Sequence, residues 1–358
     1  MNYNDNSRSI YRGNKLNIEV FGTSHGEQIG VKAKGITESV DLNELQNFMA
    51  RRRAKNTCYS TKRLEEDKVV FETGLDGDKI LGEFKAVIKN AEQKSKDYSS
   101  TYKKPRPSHA DFVGYSKYGD GFDFRGGGKF SGRLTAPMCI VGGILKQALE
   151  RKSIQINAYI SQIGCVKGKS YKDSQTELSI SKMDENFPLL DSSYREKMLE
   201  EIERARKNLD SVGGIIECVI SGVPVGTGEY MFDSLESVIS HLAFAVPAVK
   251  GIEFGTGFDL ANMNGSNAND CFYYDNGVIK TKTNHNGGIN GGMANGMPIT
   301  FRVVIKPTPS IAKEQESVDL ITKENIKLKI EGRHDACIVP RAVPVIESIA
   351  AIAIYDSL

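Results

Sequence analysis

Polar residues suited to acid–base or anion-binding chemistry recur in four tight turns of this 358-residue chain. The turns are GTSHG with Ser24 and His25, RPSHAD from Arg106 to Asp111, KFSGR at 129–133 and EGRHD at 331–335. One such histidine is more often structural than catalytic. Functional residues concentrate on loops held by a rigid scaffold, so four turns of this composition favour a common site.

The residue types in these turns indicate which chemistry the site performs. Histidine exchanges a proton near neutral pH, and arginine binds phosphate or carboxylate through two parallel hydrogen bonds. Glycine lets backbone N–H groups approach an anion closely. The residues alone therefore predict a small anionic, phosphorylated substrate surrounded by acid–base groups.

The segment at 22–26 also matches GxSxG, the nucleophile turn of α/β-hydrolases, which would make Ser24 a nucleophile. A strand-like stretch precedes it, as that motif requires. The following residues, EQIGVKAKGI, are strand-like where the motif needs a helix. A serine hydrolase is therefore a weak alternative.

Other common site motifs are missing from the sequence. Neither glycine cluster has GxGxxG spacing, and GxxxxGK[ST] and HExxH do not occur. The 5 histidines lack metal-ligand spacing, so no metal is expected. The 6 cysteines form no CxxC pair, which favours reduced thiols in the cytoplasm.

Composition describes a globular chain: 39% hydrophobic residues, 26% charged residues and a net charge of +2. This balance argues against nucleic-acid and membrane partners. No apolar run reaches the roughly 18 residues of a membrane span, and the start lacks the apolar segment of a signal peptide. No linker divides the chain, so a single domain over 1–358 is expected.

Hydrophobic periodicity predicts both helices and strands. Asp41 caps a helix with Leu42, Leu45, Phe48 and Met49 on one face, and further helices are predicted at 137–151, 193–209, 234–246 and 342–355. Strands are predicted at 16–21, 29–36, 80–89, 154–160, 215–220 and 299–305. Because glycine and polar residues interrupt the strands, an α+β fold with antiparallel sheets is favoured over a Rossmann sheet.

Eight segments, taken together and in order, resemble the chorismate synthase family along nearly the whole chain. They are FGTSHG (21–26), RRR (51–53), RPSHADF (106–112), RGGGKFSGRLTA (125–136), VKGIEFGTGF (249–258), NHNGGINGGMANGMPI (284–299), KPTPSI (306–311) and GRHDACIVPRAVPV (332–345). The resemblance implies a β-α-β sandwich of antiparallel sheets and a homotetramer.

The resemblance also implies an activity. The family converts 5-enolpyruvylshikimate 3-phosphate to chorismate and phosphate by a 1,4-anti elimination, and it requires reduced FMN, with NADPH a candidate reductant. It implies that His25 assists the departing phosphate and that His109 protonates or holds the reduced flavin. Asp335 is implied to help the flavin N5 remove the substrate proton.

Further site residues follow from the same resemblance. Those implied to bind FMN are Lys129, Phe130, Ser131, Ala248, Gly291, Lys306, Pro307, Thr308, Pro309, Ser310 and Arg333. Those implied to bind the substrate or NADPH are Ser24, Arg52, Arg106 and Arg133.

The sequence departs from the family pattern at several of these positions. A common Arg-Ser-Ser-Ala-Arg-Glu-Thr run is KFSGRLT at 129–135, where Phe130 either stacks near the flavin or fills core space. Cys58 stands where arginine is common, with Lys62 and Arg63 close by. Both histidines and Asp335 are present, so an active enzyme is expected, with an inactive flavin-binding relative as the alternative.

Overall fold

A computed structural model of the chain describes residues 9–54, 66–90, 102–171, 183–330 and 335–358. Cys58, Lys62, Arg63 and Arg333 lie outside the described residues. The strands are β1 Ser9–Arg12, β2 Asn17–Gly22, β3 Gln28–Ile36, β4 Val70–Asp76, β5 Lys79–Lys89, β6 Gln155–Ile163, β7 Val166–Lys167, β8 Gly214–Ser221, β9 Val249–Phe254, β10 Phe272–Asp275, β11 Val278–Thr281, β12 Ile289–Asn290, β13 Met293–Ala294, β14 Ile299–Ile305, β15 Gln315–Asp319 and β16 Glu324–Leu328. The α-helices are α1 Leu42–Arg52, α2 Asp111–Tyr118, α3 Thr135–Glu150, α4 Arg195–Lys207, α5 Leu235–Ala245, α6 Gly265–Ala268 and α7 Val339–Ser357.

Within the described ranges, the strands build two five-stranded antiparallel sheets and three small hairpins. The first sheet has the order β1-β2-β3-β5-β4 and the second β7-β6-β8-β14-β9. Val31 lies between Val20 of β2 and Ala86 of β5 in the first sheet. Phe301 lies between Cys218 of β8 and Phe254 of β9 in the second. Buried residues on inner strands such as β3, β5, β8 and β14 give each sheet an apolar face, whereas the edge strands β1 and β4 are mostly exposed or half-buried.

Helices fill the space between the two apolar faces. Helix α3 packs against β3 and β5 of the first sheet, and α7 packs against β6 and β8 of the second. The two helices also pack on each other, so closely that a Cβ on Gly142 would lie 2.2 Å from Ser348 Cβ. Both helices are apolar nearly all round because sheets or helices cover every side. The layers are those of a β-α-β sandwich, and the predicted fold class is confirmed.

The helices expected from sequence are present close to their predicted bounds. The Asp41 carboxylate accepts hydrogen bonds from the backbone N–H groups of Asn43 and Glu44, which begins α1 as predicted. Leu45, Phe48 and Met49 are buried, whereas Leu42 is exposed. Along the described ranges, no helix has the length and apolar character to span a membrane.

Candidate active site

One cleft of about 1260 Å³ collects the turns singled out by sequence. Its walls come from the β2–β3 turn, the segment before α3, the segment entering β9, the residues after β14 and the start of α7. Of the fourth turn, at 331–335, Asp335 lines the cleft, and the other residues lie outside the described ranges.

Most of the expected site residues line this cleft. They are Ser24, His25, Arg52, His109, Lys129, Phe130, Ser131, Arg133, Ala248, Lys306, Thr308, Pro309, Ser310 and Asp335. Arg106 lies behind His109 and Ser310: its Nη1 donates to Ser310 Oγ at 3.2 Å, and its Nη2 lies 3.2 Å from His109 Nδ1. Pro307 and Gly291 do not line the cleft; Gly291 lies in the turn between β12 and β13.

His25 and Ser24 occupy a hairpin turn between antiparallel strands. Gly22 pairs with Ile29 across the turn, and the Asn90 side-chain amide donates to the carbonyls of Thr23 and Gly26 at 3.3 and 2.8 Å. A strand follows the serine, where the hydrolase motif requires a helix. Ser24 Oγ donates to the Arg125 carbonyl at 3.1 Å, so it accepts from His25 Nδ1, also at 3.1 Å. This is the reverse of serine activation, and it argues against hydrolysis.

The triple glycine at 126–128 lies directly against both cleft histidines. All three residues have left-handed φ angles of 56°, 91° and 52°. A Cβ on Gly126 would lie 2.3 Å from His25 Cε1, and one on Gly127 would lie 3.3 Å from His109 Nε2. Only glycine permits this backbone to approach the rings. The sequence shows the glycines but not their contact with His25 and His109.

His109 belongs to a buried charge network in which Asp111 is the centre. Asp111 Oδ1 lies 2.7 Å from His109 Nδ1, and both carboxylate oxygens accept hydrogen bonds from Arg106 at 2.7 and 2.8 Å. Burial alone would raise the pKa of Asp111, but the hydrogen bonds from Arg106 and His109 outweigh it and hold the pKa well below its usual range. The Asp111 carboxylate therefore holds His109 in the tautomer with its proton on Nδ1. The other ring nitrogen, Nε2, is left on the side of the ring away from Asp111. The resemblance did not single out Asp111.

The cleft is strongly cationic. Among the residues that the structure describes, seven lysine or arginine side chains line it, against the carboxylates of Glu19 and Asp335. Partial burial lowers the pKa of Lys306, and the positive charge of Lys250 lowers it further. Two lysines this close favour an anion between them. In the described part of the chain, no group of His, Cys, Asp and Glu is arranged to hold a metal ion.

Aromatic rings form one wall of the cleft. Lys129 Nζ lies 4.2 Å from the centre of the Tyr118 ring, a cation–π contact. Phe130 lies against Tyr118 and Phe122, with ring centres 6.3 and 5.9 Å away. It is 36% exposed and lines the cleft. Phe130 therefore both packs on the aromatic cluster and offers apolar surface to a ligand.

Backbone turns build a further part of the cleft wall. Ala248 has a φ of 76°, and its carbonyl accepts from the Lys306 N–H at 2.9 Å. Thr308 Oγ1 donates to the Asp335 carbonyl at 2.8 Å, and Arg341 pairs with the Asp335 carboxylate at 2.9 Å. These contacts hold the 306–310 turn beside the start of α7.

Arg52 and Arg133 meet at a buried carboxylate that the resemblance did not single out. Asp67 is 3% exposed and forms ion pairs with both arginines. Arg52 also donates to Thr135 Oγ1 at 2.9 Å and to the Gly132 carbonyl at 2.6 Å. Burial lowers the pKa of Arg52, and Asp67 opposes that effect. No motif marks Asp67 because its partners are distant in sequence.

A cleft that combines two histidines with an excess of cations defines an enzyme-type site for anionic ligands. The family model described as chorismate synthase matches residues 16–358. The chorismate synthase of Thermococcus kodakarensis is 43% identical over 350 residues, covering 97% of each chain. That of Dehalococcoides mccartyi strain 195 is 40% identical over 347 residues, covering 96% of this chain and 95% of that one. The chain belongs to the chorismate synthase family.

A solved structure agrees at the level of fold. A crystal structure of chorismate synthase aligns with a TM-score of 0.72 over 97% of this chain and 92% of that chain, at 23% identity. The layered arrangement described above is thus the fold of that structure.

Proposed function

We propose that this chain is a working chorismate synthase, which converts 5-enolpyruvylshikimate 3-phosphate to chorismate and phosphate by a 1,4-anti elimination. The observation that carries the proposal is the meeting of His25, His109 and Asp335 in one cationic cleft. The substrate carries a phosphate and carboxylates, which match the excess of lysine and arginine side chains. The altered 129–135 segment keeps Ser131 and Arg133 of the family pattern at the cleft wall, and Lys129 keeps the positive charge of the arginine that it replaces.

The residues present fit reduced FMN. A cleft of about 1260 Å³ exceeds the roughly 300–1000 Å³ of a typical small-molecule site, which leaves room for a flavin and a substrate together. Lys306, residues 308–310, Ala248 and Phe130 would hold the flavin, and Lys306 would meet its phosphate. When bound, reduced FMN supplies transient electron density that eases the loss of phosphate.

The protein's own groups would then manage protons and charge. His25, held by Ser24, would donate a proton to the leaving phosphate, and Asp111 would keep His109 Nε2 directed at the flavin site. The Asp335 carboxylate, fixed by Arg341 at the cleft wall, would assist the removal of the substrate proton at the flavin site. Each histidine is expected to contribute about 10²–10⁴ in rate.

Anaerobic turnover of 5-enolpyruvylshikimate 3-phosphate with chemically reduced FMN tests the proposal, with chorismate followed by absorbance. We expect turnover in the unsubstituted protein and a loss of at least about 10² in His109→Ala. His241→Ala is the matched control, because His241 contacts Tyr11 and lies outside the cleft. FMN binding without turnover would instead identify an inactive relative. Repeating the assay with NADPH and oxidised FMN tests for self-reduction.

We also propose a homotetramer. Several large apolar side chains are exposed on this chain, among them Phe232 at 89%, Phe258 at 81% and Tyr274 at 76%. Soluble monomers rarely expose many such groups together, so subunit contacts would account for them. Light scattering of the purified protein gives the subunit number, and a monomer at micromolar concentration would contradict this proposal.

Two further proposals concern the chain as a whole. A single domain over 1–358 is supported by one hydrophobic cluster that runs from Leu16 to Tyr355. A cytoplasmic location is supported by the free thiols of the five cysteines in the described ranges, which suit a reducing compartment. Cell fractionation tests the second proposal.

A further inference from the structure

Asp67 lies where the two arginines of the cleft wall converge. Its Oδ2 accepts from Arg52 Nη1 at 3.2 Å, and its Oδ1 accepts from Arg133 Nη1. All three side chains are less than one-tenth exposed. Two guanidinium groups share one carboxylate, so the group keeps one net positive charge next to the cleft.

The backbone at Asp67 is held in an uncommon conformation. Its φ is 47°, in the left-handed region that residues other than glycine seldom adopt. Gln46 of α1 fixes it there, because the Gln46 amide donates to the Asp67 carbonyl at 3.2 Å and accepts from Val69 N–H at 3.2 Å. Strain of this kind persists where surrounding contacts impose it, and it is frequent at functional sites.

One branch of contacts leads from Asp67 to the His25 turn. Arg133 Nε donates to Asn90 Oδ1 at 3.3 Å. The amide of the same Asn90 holds the Thr23 and Gly26 carbonyls on either side of Ser24 and His25. The orientation of Arg133 is thereby connected to the turn that carries a proposed catalytic histidine.

A second branch leads from Asp67 to Asp335. Arg52 donates to the carbonyls of Gly132 and Arg133, and its own carbonyl accepts from Arg341 Nε at 3.1 Å. Arg341 in turn pairs with Asp335 at 2.9 Å. Asp67 thus lies at the point where both walls of the cleft are joined.

We propose that Asp67 is a positioning residue, which holds Arg52 and Arg133 in the geometry that receives the phosphate or carboxylate of the substrate. The inference rests on the proposed function for the identity of that substrate. Asp67 acts through the arginines and does not touch the ligand itself.

Two substitutions separate the effect of the position of the Asp67 carboxylate from the effect of its charge. Asp67→Glu keeps the charge and moves the carboxylate by one methylene, whereas Asp67→Asn removes the charge and keeps the shape. If Asp67 only neutralised the arginines, Asp67→Glu would bind anions like the unsubstituted protein and Asp67→Asn would bind them more tightly. If it positions them, both substitutions weaken anion binding.

The test is a calorimetric titration of inorganic phosphate into the full chain, which needs no turnover. We expect both variants to bind phosphate about tenfold more weakly and the dissociation constant for FMN to change less than about threefold. Glu203→Asp is the matched control, because Glu203 pairs with Arg206 on the exposed face of α4, and its phosphate affinity should not change. Thermal unfolding of each variant establishes that it is folded.

The outcomes distinguish this inference from the proposed function. Unchanged phosphate affinity in Asp67→Glu, tighter binding in Asp67→Asn, or no phosphate binding by the unsubstituted protein would each overturn it. Should Asp67→Asn fail to fold, Asp67→Glu alone still decides. Phosphate binding that depends on Asp67, in a protein without turnover, would leave the inference intact and refute the activity.

Discussion

At the scale of single residues, the glycines beside the histidines are as restrictive as the histidines themselves. Gly126 and Gly127 combine left-handed φ angles with direct contact to His25 and His109. A side chain at either position would meet both a backbone penalty of about 1–2 kcal/mol and a ring in its path. The triple glycine is therefore part of the site.

Gly126→Ala tests this role. We expect at least a tenfold loss of turnover, because the new Cβ would lie 2.3 Å from His25 Cε1 and must displace the ring. Gly121→Ala is the matched control: it lies in the same loop, has no left-handed φ, and a Cβ there meets nothing within 4 Å. Steady-state kinetics and thermal unfolding of both variants give the answer. Equal activity in the two variants would mean that the ring is not constrained by the glycine.

Sequence predicted the residues that carry a recognisable type and spacing, and it did not predict their partners. His25, His109 and Arg133 were found because each lies in a distinctive turn. Asp67 was not, since its function arises from two arginines 15 and 66 positions away in sequence. Such pairing depends on tertiary structure, which no local pattern encodes.

At the scale of elements, prediction succeeded where a helix or strand has one buried face. Helix α4 shows this, with Met198 and Ile202 buried and charged residues elsewhere. Strands β1 and β4 were missed because their residues are mostly exposed or half-buried, without clean alternation. Edge strands gain their conformation from a neighbour's hydrogen bonds, and that contribution is invisible in the segment itself.

The end of α7 is attached to the β1–β2 turn by one carboxylate. Asp356 is 2% exposed and accepts hydrogen bonds from the backbone N–H groups of Asn14, Lys15 and Leu16 at 3.0, 2.8 and 2.8 Å. It also accepts from the Tyr11 hydroxyl at 2.7 Å. One side chain therefore satisfies three donors of a tight turn.

Asp356→Ala should lower the free energy of unfolding by about 3 kcal/mol or more, because it leaves several buried hydrogen-bond donors without an acceptor. Tyr11→Phe removes one hydrogen bond only and should cost about 1–2 kcal/mol. Urea unfolding followed by circular dichroism measures both. A smaller loss for Asp356→Ala than for Tyr11→Phe would show that water replaces the carboxylate at the turn.

At the scale of the whole molecule, fold class was predictable and strand order was not. Interrupted strands alternating with helices excluded a Rossmann sheet. The pairing of β14 with both β8 and β9 was beyond sequence reasoning, because Phe301 meets Cys218 and Phe254 across long intervals of chain. Periodicity identifies a buried face but does not identify which strand will cover an edge.

Three buried thiols also set how the protein responds to alkaline pH. Burial raises the pKa of the Cys139 thiol to about 11 and that of Cys337 to about 12, and it raises the pKa of Cys218 well above its usual value. These folded-state pKa values exceed the ordinary thiol value of about 8.5. The contribution of the protonated thiols to stability is therefore complete below about pH 8.5 and is lost as pH rises toward 11.

Thiol labelling at pH 8 checks which cysteines are buried. Among the cysteines of the described ranges, exposed Cys165 and Cys271 should react with a disulfide reagent within minutes, and the three buried thiols should react only after unfolding. Peptide mapping by mass spectrometry assigns the labelled positions. Rapid labelling of Cys139 in folded protein would show that the helical layer opens readily.

The position of α7 at the end of the chain affects folding during translation. Helix α3 ends at Glu150 and α7 begins at Val339, so about 190 residues separate two helices that pack on each other. At the usual 5–20 residues per second, a ribosome needs roughly 10–40 seconds to bridge that interval. During this time α3 lacks its partner helix, and the strands of the second sheet, which are made in the same interval, have no α7 against their apolar face. Before α7 is synthesised, this exposed apolar surface can aggregate. The nascent chain is therefore most dependent on a chaperone during this interval.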